Sequence, residues 1–527
     1  MEGATAAAPA AATPGGVEDK GLKRNAIGFI SSVVIGVAST APGYSLAASL
    51  GFIAAVGGIG LQAPAILLLA FIPMAMIAAA YYYMNRADPD CGTTFAWVTK
   101  AMGPWAGWLG GWAIVVADII VMANLAQIAG KYTFLLFDWD SAANSTAAVT
   151  AVGVAWIVVM AAICYIGIEL SARTQVVLLS FEIVTLGIFA VVALVKVASG
   201  DAAGTAVDPS FSWINPFEID SFSALTSGIL IAIFIYWGWD STVTVNEETE
   251  DSDTVPGRAA VISTLILVGI YLVVSTAAIA FGGVDRLAGD QSGDVLGLLA
   301  GDVFGSSTLG KVVIIAVLTS AAASTQTTIL PTSRTALSMA RAKAAPDALA
   351  RVHPRYLTPD VATWVMGALS IAWYVGLTLV SQNILYDSIA ALGLMIAFYY
   401  GLTGFACAWY YRRTLTSSLR RLLLVGVAPF TGGAILLFVF VRSCIDLGRA
   451  DAGSTTYLGI GSPLVIGLGF LALGAVLMAI WRLAGHREFF RRRPETAEPA
   501  AVPVIAHGVR IRLADDGVAP AVGLDAR

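Results

Sequence analysis

Charge is what this chain has least of. Only 12% of its 527 residues are Asp, Glu, Lys or Arg, against 57% hydrophobic residues and a mean hydropathy of +0.79. A soluble domain needs a charged surface, so this scarcity excludes one. Histidine is scarcer still, and His353, His486 and His507 all fall in loops or the tail, which argues against an intramembrane metal or a histidine-based catalyst. The four cysteines, Cys91, Cys164, Cys407 and Cys444, show neither ligand spacing nor pairing, so no metal site and no disulfide framework is implied. No G-x-x-x-x-G-K-[ST] string occurs, which excludes an ATP-driven pump in one chain. There is no filter repeat or continuous polar pore for a channel and no catalytic constellation for an enzyme. No cofactor and no nucleic-acid partner is expected. The net charge of −5 says little, because in lipid the placement of charge matters more than its sum.

What is present is a series of apolar blocks of ~20 residues or more, long enough to cross ~30 Å of hydrocarbon. They predict a polytopic, all-helical integral membrane protein with twelve spans at about 26–57, 61–84, 104–134, 148–168, 174–197, 223–247, 259–283, 310–335, 362–381, 386–411, 420–443 and 457–482. Residues 1–24 and 484–527 lack an apolar core and read as disordered cytoplasmic tails. Placing both termini in the cytoplasm leaves Lys131, Lys196, Arg286, Lys311, Arg442 and Arg449 outside and the other 24 of the 30 basic residues inside, as the positive-inside rule requires. The Ala-rich composition suggests a high-GC bacterium and a cell-membrane location.

Two spans are interrupted at matching places. The first meets Ser39-Thr40-Ala41-Pro42-Gly43 near its middle, where Pro42 removes a donor and Gly43 loosens the next turn. The sixth breaks at Trp237-Gly238-Trp239-Asp240. A proline kink alone would account for the first. Two breaks ~200 residues apart, with spans two and seven at the same offset, fit five helices repeated in inverted orientation, the plan of secondary transporters. That divides the chain into a transport core at 25–412 and two further helices at 413–483.

The motifs along the chain resemble those of the amino acid, polyamine and organocation (APC) permease superfamily. Pro89-Asp90-Cys91-Gly92-Thr93-Thr94-Phe95, then Gly103-Pro104, Gly107-Trp108 and Gly111-Trp112, resemble the loop after span two and the start of span three. Ile166-Gly167 and Ser171-Ala172-Arg173 fit the junction of spans four and five. Gly238, Trp239, Asp240, Glu247 and Glu248, with Pro256, Arg258 and Ala259 after them, resemble span six, and Arg334 to Arg341 with Pro346 and Thr358-Pro359 resemble the end of span eight. The resemblance covers about 25–485 and implies a leucine-transporter-type fold, a 5+5 inverted repeat plus two helices, with spans one and six broken. It implies a permease for amino acids or amines. The chain departs from the family's usual Gly-x-Gly in span one.

The chemistry of the site can be read from the breaks. One half-helix ends in free N–H groups and a partial positive charge, the other in carbonyls and a partial negative charge, and a zwitterion fits between them. By position, the resemblance assigns a substrate carboxylate to Thr40, Ala41, Pro42 and Gly43 and an ammonium to the carbonyls of Ile235, Tyr236 and Trp237, next to Gly238. Tyr236, Trp237 and Trp239 either close over the ligand or pack against neighbouring spans. Asp240 either caps the second half of span six or meets a cationic ligand or proton. Glu182 lies eleven residues after Ser171, ~16 Å along the helix and near mid-membrane, on one face with Ser171, Gln175 and Thr185. It matches the place of a span-five Lys in proton-coupled members, and proton coupling is the preferred reading over a structural hydrogen bond; Asp118 is a weaker candidate. Ser324 and Thr325 are candidates for holding sodium, although hydroxyls more often bind neighbouring helices together. The acidic loop Glu247 to Asp253 reads as a solvated gate segment pairing with Arg residues and lacks the spacing of a calcium loop. Secondary uptake of an amino acid with a proton is therefore expected; the surplus of acids Asp118, Glu182 and Asp240 also fits an amine or polyamine importer, or an exchanger.

Overall fold

The computed structural model describes residues 19–498 except 203, 290–293, 381, 451, 453 and 454. We number its principal helices α1 (Phe29–Ser39), α2 (Pro42–Ala55), α3 (Ala63–Ala87), α4 (Thr94–Met102), α5 (Pro104–Leu136), α6 (Thr146–Ile166), α7 (Ile168–Ser199), α8 (Phe222–Ile235), α9 (Ser241–Thr244), α10 (Val255–Gly282), α11 (Val295–Phe304), α12 (Ser307–Arg341), α13 (Asp360–Val380), α14 (Gln382–Tyr410), α15 (Ala428–Leu447) and α16 (Ser462–Leu483). Among the described residues eleven helices are long and apolar enough to cross a membrane, the first being Phe29–Ala55 taken through its break. The span expected at 223–247 is the exception: it is the 14-residue α8, a turn, and the four-residue α9.

The helices are sorted by which face is polar. On α7, Val177, Val184, Val191 and Val195 point out with 59–69% of their surface exposed, while Ser171, Gln175, Glu182 and Thr185 are buried. In water this would be inside out; in hydrocarbon it is the stable arrangement, because polar side chains find partners only inside the bundle. The most buried long helix, α12, lies along α5, α7 and α1 and carries a row of hydroxyls on its inner face. Most donate to their own helix's carbonyls, as Thr325 does to Ala321 O at 2.8 Å.

Each break has a local cause. Proline disfavours the helical conformation in the residue before it, so the first helix cannot continue into Pro42. Ala41 takes φ 46° and ψ 63°, a strained left-handed turn, and Pro42 starts a new helix at a position where it gives up no bond. The flexible residue expected was Gly43, but Gly43 lies within α2. In the second break Gly238 does need its freedom, with φ 117°.

Both tails are shorter than composition suggested. Residues 1–18 and 499–527 lie outside the described residues, but residues 19–28 form a strap across one end of the bundle. The N–H groups of Ala26 and Ile27 donate to Glu248 O at 2.8 and 3.2 Å, Glu250 N donates to Ile27 O at 3.0 Å, and Lys20 and Leu22 are buried. In the other tail, Phe489 is fully buried and stacks on Phe95 at 5.5 Å between centroids. Arginine-rich composition concealed that aromatic anchor.

Nor is the acidic loop solvated throughout. Glu248 and Arg334 are both fully buried and meet through two hydrogen bonds of 2.7 and 2.9 Å, and this pair ties the end of α12 to the strap. Lys20 Nζ sits between Asp90 at 2.9 Å and Glu247 at 2.5 Å, so the carboxylates of the Asp90, Cys91 and Glu247 cluster are occupied by an ammonium. Burial alone would lower the Lys20 pKa, but Asp90, Cys91 and Glu247 outweigh it and hold the ammonium well above the usual lysine range. Burial likewise opposes the charge on Asp90, and Lys20 with the Ser338 hydroxyl overcomes it, leaving that carboxyl below the usual carboxylate range.

These ion pairs carry two predictions. A raised lysine loses its contribution only as pH climbs through the folded value, and a lowered aspartate only as pH falls through its own, so the Lys20–Asp90 pair should hold from about pH 5 to about pH 9, whereas burial pushes the Glu247 carboxyl up and makes its contact with Lys20 the first to weaken on acidification. Hydrogen-exchange protection factors of residues 19–28, corrected for the base-catalysed rise of the intrinsic rate, should be flat across that window in wild type and lowered in Asp90→Asn. Removing one partner of the buried pair, as in Arg334→Met, should cost about 3 to 5 kcal/mol. A thermal melt in detergent should show a large fall for that variant and a smaller one for the double variant with Glu248→Met.

Candidate functional site

The two breaks lie against each other in the middle of the bundle. Ser39 Oγ and Ser241 Oγ are 2.8 Å apart, and Ser324 Oγ of α12 donates to Ser39 O at 2.9 Å. A Cβ on Gly238 would come within 2.8 Å of Ser39 O, so the approach of the two backbones itself requires glycine there. Beside this contact is a small cavity, comparable in size to about one water molecule, lined by Ser39, Asp118, Trp237, Gly238, Asp240, Ser241 and Tyr399 with Ile114, Thr328 and Pro331. The two acids flagged separately in the sequence thus share one wall. Asp118 Oδ2 accepts from Thr332 Oγ1 at 3.0 Å.

Asp240 does not cap α9. Its side chain makes no capping bond; the carboxylate turns toward α3 and α14 and accepts from Tyr400 OH at 2.8 Å, Tyr399 OH at 3.3 Å and Tyr81 OH at 3.4 Å. Three phenols from α3 and α14 satisfy a buried charge that a helix N-terminus would otherwise have held. Trp239 stacks on Tyr400 at 5.3 Å and meets Tyr81 edge-on at 5.1 Å, with no exposure, so its ring packs in the aromatic wall. Trp237 borders the cavity and donates its indole N–H to Tyr399 OH. Tyr236 is wedged against Tyr271 and Phe71, and the Tyr271 hydroxyl caps Ile235 O at 2.6 Å. Sequence reasoning missed Tyr81, Tyr399 and Tyr400, because aromatic residues in a membrane helix carry no signal that separates a ligand wall from ordinary packing.

At the first break the N–H groups that start α2 are already engaged. Gly43 N donates to Glu182 Oε1 at 2.7 Å, Tyr44 N to Ser320 Oγ at 3.2 Å and Ser45 N to Ala41 O at 2.8 Å. Ser320 Oγ in turn donates to Glu182 Oε1 at 2.8 Å. Glu182 thus meets the backbone break directly, while its second oxygen, Oε2, is buried with no hydrogen-bond partner among the described residues. Thr40 closes α1 by donating Oγ1 to Val37 O at 2.7 Å, and Thr40 O accepts from Ser45 Oγ at 2.6 Å. Of the two span-eight hydroxyls, Ser324 reaches the break and Thr325 turns back into its own helix.

Bulk at either glycine should close this site. Gly238→Ala and Gly43→Leu should insert into the membrane normally yet weaken ligand binding by about tenfold or more, measured by scintillation proximity with radiolabelled amino acids. Binding of wild-type strength in both would remove the breaks from consideration as the site.

The family model described as amino acid permease matches residues 25–471. Uncharacterized transporters of Mycobacterium tuberculosis and Mycobacterium bovis are each 31% identical to the chain over 359 residues, covering 66% of it and 73% of their own length. The branched-chain amino acid permease BcaP of Bacillus subtilis is 23% identical over 322 residues, covering 56% of the chain and 64% of its own. The match spans the helices that carry both breaks and Glu182: the chain belongs to the amino acid permease family.

Proposed function

We propose that this protein is a secondary active permease that takes up an amino acid with a proton across a bacterial cell membrane, binding it between the two breaks. The fold we assign it is the twelve-span, 5+5 inverted repeat with two added helices and both termini in the cytoplasm, so that the strap closes the cytoplasmic end. The observation that carries the reading is the meeting of the breaks at Ser39 and Gly238 beside a cavity bordered by Asp118 and Asp240. Paired half-helix ends offer both signs of partial charge to a zwitterion without any side-chain charge. The cavity as it stands is too small for an amino acid, so binding requires the breaks to part. A carrier that opens to one side at a time does this once per cycle.

Proton coupling is assigned to Glu182. It is fully buried at mid-span and holds the backbone of the first break, so its protonation state acts on the element that binds ligand. Ser324 and Thr325 stand second as a sodium site, with only Ser324 on the break. A second reading, an amine or polyamine importer, draws on Asp118 and Asp240 facing one cavity. Competition of uptake by the twenty amino acids and by simple amines such as putrescine decides between them.

The test of coupling is Glu182→Gln, which keeps shape and hydrogen bonds while fixing the neutral state. In sodium-free vesicles it should lose accumulation driven by a pH gradient and keep exchange at equal concentrations on both sides. Proton-driven accumulation retained by the variant would move coupling to Asp240 or Asp118.

A further inference from the structure

The start of α2 is a site built for an anion. It is the N-terminus of a 14-residue helix buried inside a bundle, its first residue is a proline without an N–H, and Gly43 supplies the first N–H donor. Such an end attracts one negative charge. In this structure the charge comes from the chain itself: Glu182 reaches across from α7 and takes the Gly43 N–H, with Ser320 as its only other donor among the described residues.

Glu182 is a poorly satisfied occupant. A carboxylate offers about four acceptor sites, whereas here one oxygen accepts both bonds and Oε2, fully buried, accepts none. No Lys, Arg or His acts on it among the described residues; the one titratable neighbour is Tyr271 of α10, whose hydroxyl is committed to Ile235 O. The Gly43 N–H is thus the main thing that keeps a charge tolerable at this depth. Were it withdrawn, the ionised carboxylate would be left with a single hydroxyl donor in hydrocarbon, and neutralisation is the lower-energy course.

We infer that Glu182 is a tethered stand-in for the substrate's carboxylate: in the empty carrier it occupies the N-terminus of α2, and an incoming carboxylate takes the Gly43 N–H as Glu182 takes up a proton from the open side. The inference rests on reading the two breaks as the substrate site. It fixes the substrate class as compounds with a free carboxylate, and it fixes the stoichiometry, since one carboxylate displaces one carboxylate and one proton restores the balance of charge. Coupling then requires no separate proton pathway to the ligand. When the substrate leaves, Glu182 releases its proton and returns to Gly43. Ser320 holds both parts in register, giving its proton to Glu182 and accepting from Tyr44 N.

Binding and proton uptake can be read together on the purified full chain in lipid nanodiscs. The twenty standard amino acids serve as probes, in weakly buffered solution with a pH indicator. For each amino acid that binds wild type, about one proton should be taken up per molecule bound, and Kd should weaken about tenfold per pH unit wherever Glu182 is charged. The methyl ester of the same amino acid should bind about tenfold or more weakly and take up no proton. Glu182→Gln should bind with a Kd independent of pH and no proton uptake. Ser320→Ala, which keeps the carboxylate but removes one of its donors, should bind more tightly than wild type at high pH, and it supplies the answer if Glu182→Gln fails to fold. Proton uptake undiminished in Glu182→Gln, or equal uptake with ester and acid, would overturn the inference. Gly238→Ala separates the two levels: loss of binding there together with undiminished proton uptake in Glu182→Gln sinks only the exchange of carboxylates, whereas wild-type binding by Gly238→Ala sinks the site itself.

Discussion

Backbone satisfaction in hydrocarbon is the constraint on which the rest of this protein depends. An interrupted helix in lipid leaves N–H and C=O groups that water cannot reach, and each must be met by protein. Here two interruptions are placed side by side, and the chain directs scarce polar groups to them: Glu182 and Ser320 to the start of α2, Ser324 and Ser241 to Ser39, and Tyr271 to Ile235. Polar residues elsewhere in the inner helices mostly bond back to their own carbonyls. The arrangement concentrates hydrogen bonds between helices where two half-helices meet.

The charges in the molecule fall into two groups with different energetics. At the strap end, Lys20, Asp90, Glu247, Arg334 and Glu248 pair opposite signs, so burial is offset locally and the contacts resist change over a wide pH range. In the middle of the bundle Asp118, Asp240 and Glu182 have no cationic partner among the described residues and rely on hydroxyls and one backbone N–H. Paired charges hold a shape. Acids without counter-ions depend on those few donors, and all three lie beside the breaks.

The tyrosine wall around Asp240 shows how one substitution of roles spreads through a site. With Asp240 facing α3 and α14, α9 has no side-chain cap and is a single turn, while Trp239 and Tyr400 stack beside it. The second break is therefore supported from outside by aromatic rings, and the first from α7 and α12 by Glu182 and Ser320. Parting the breaks would mean disturbing both supports at once.

The sequence by itself determined the class, eleven of the twelve expected spans and the two breaks, because crossing hydrocarbon leaves signals that need no knowledge of neighbours: apolar length, a proline where a helix cannot continue, a glycine where φ is positive. It also determined which face of α7 is inward, since Ser171, Gln175, Glu182 and Thr185 share a side at helical spacing. Partners were beyond it. Nothing local says that Glu182 meets Gly43 across 139 positions or that Asp240 turns to Tyr400 across 160, and nothing local distinguishes Ser324 from its neighbour Thr325. The tails were misjudged for the same reason: Lys20 and Phe489 are buried only because distant carboxylates and Phe95 receive them. Tertiary structure decided these pairings because the energy of a polar or aromatic group in a membrane protein is set by what it touches, and the sequence records only what it is.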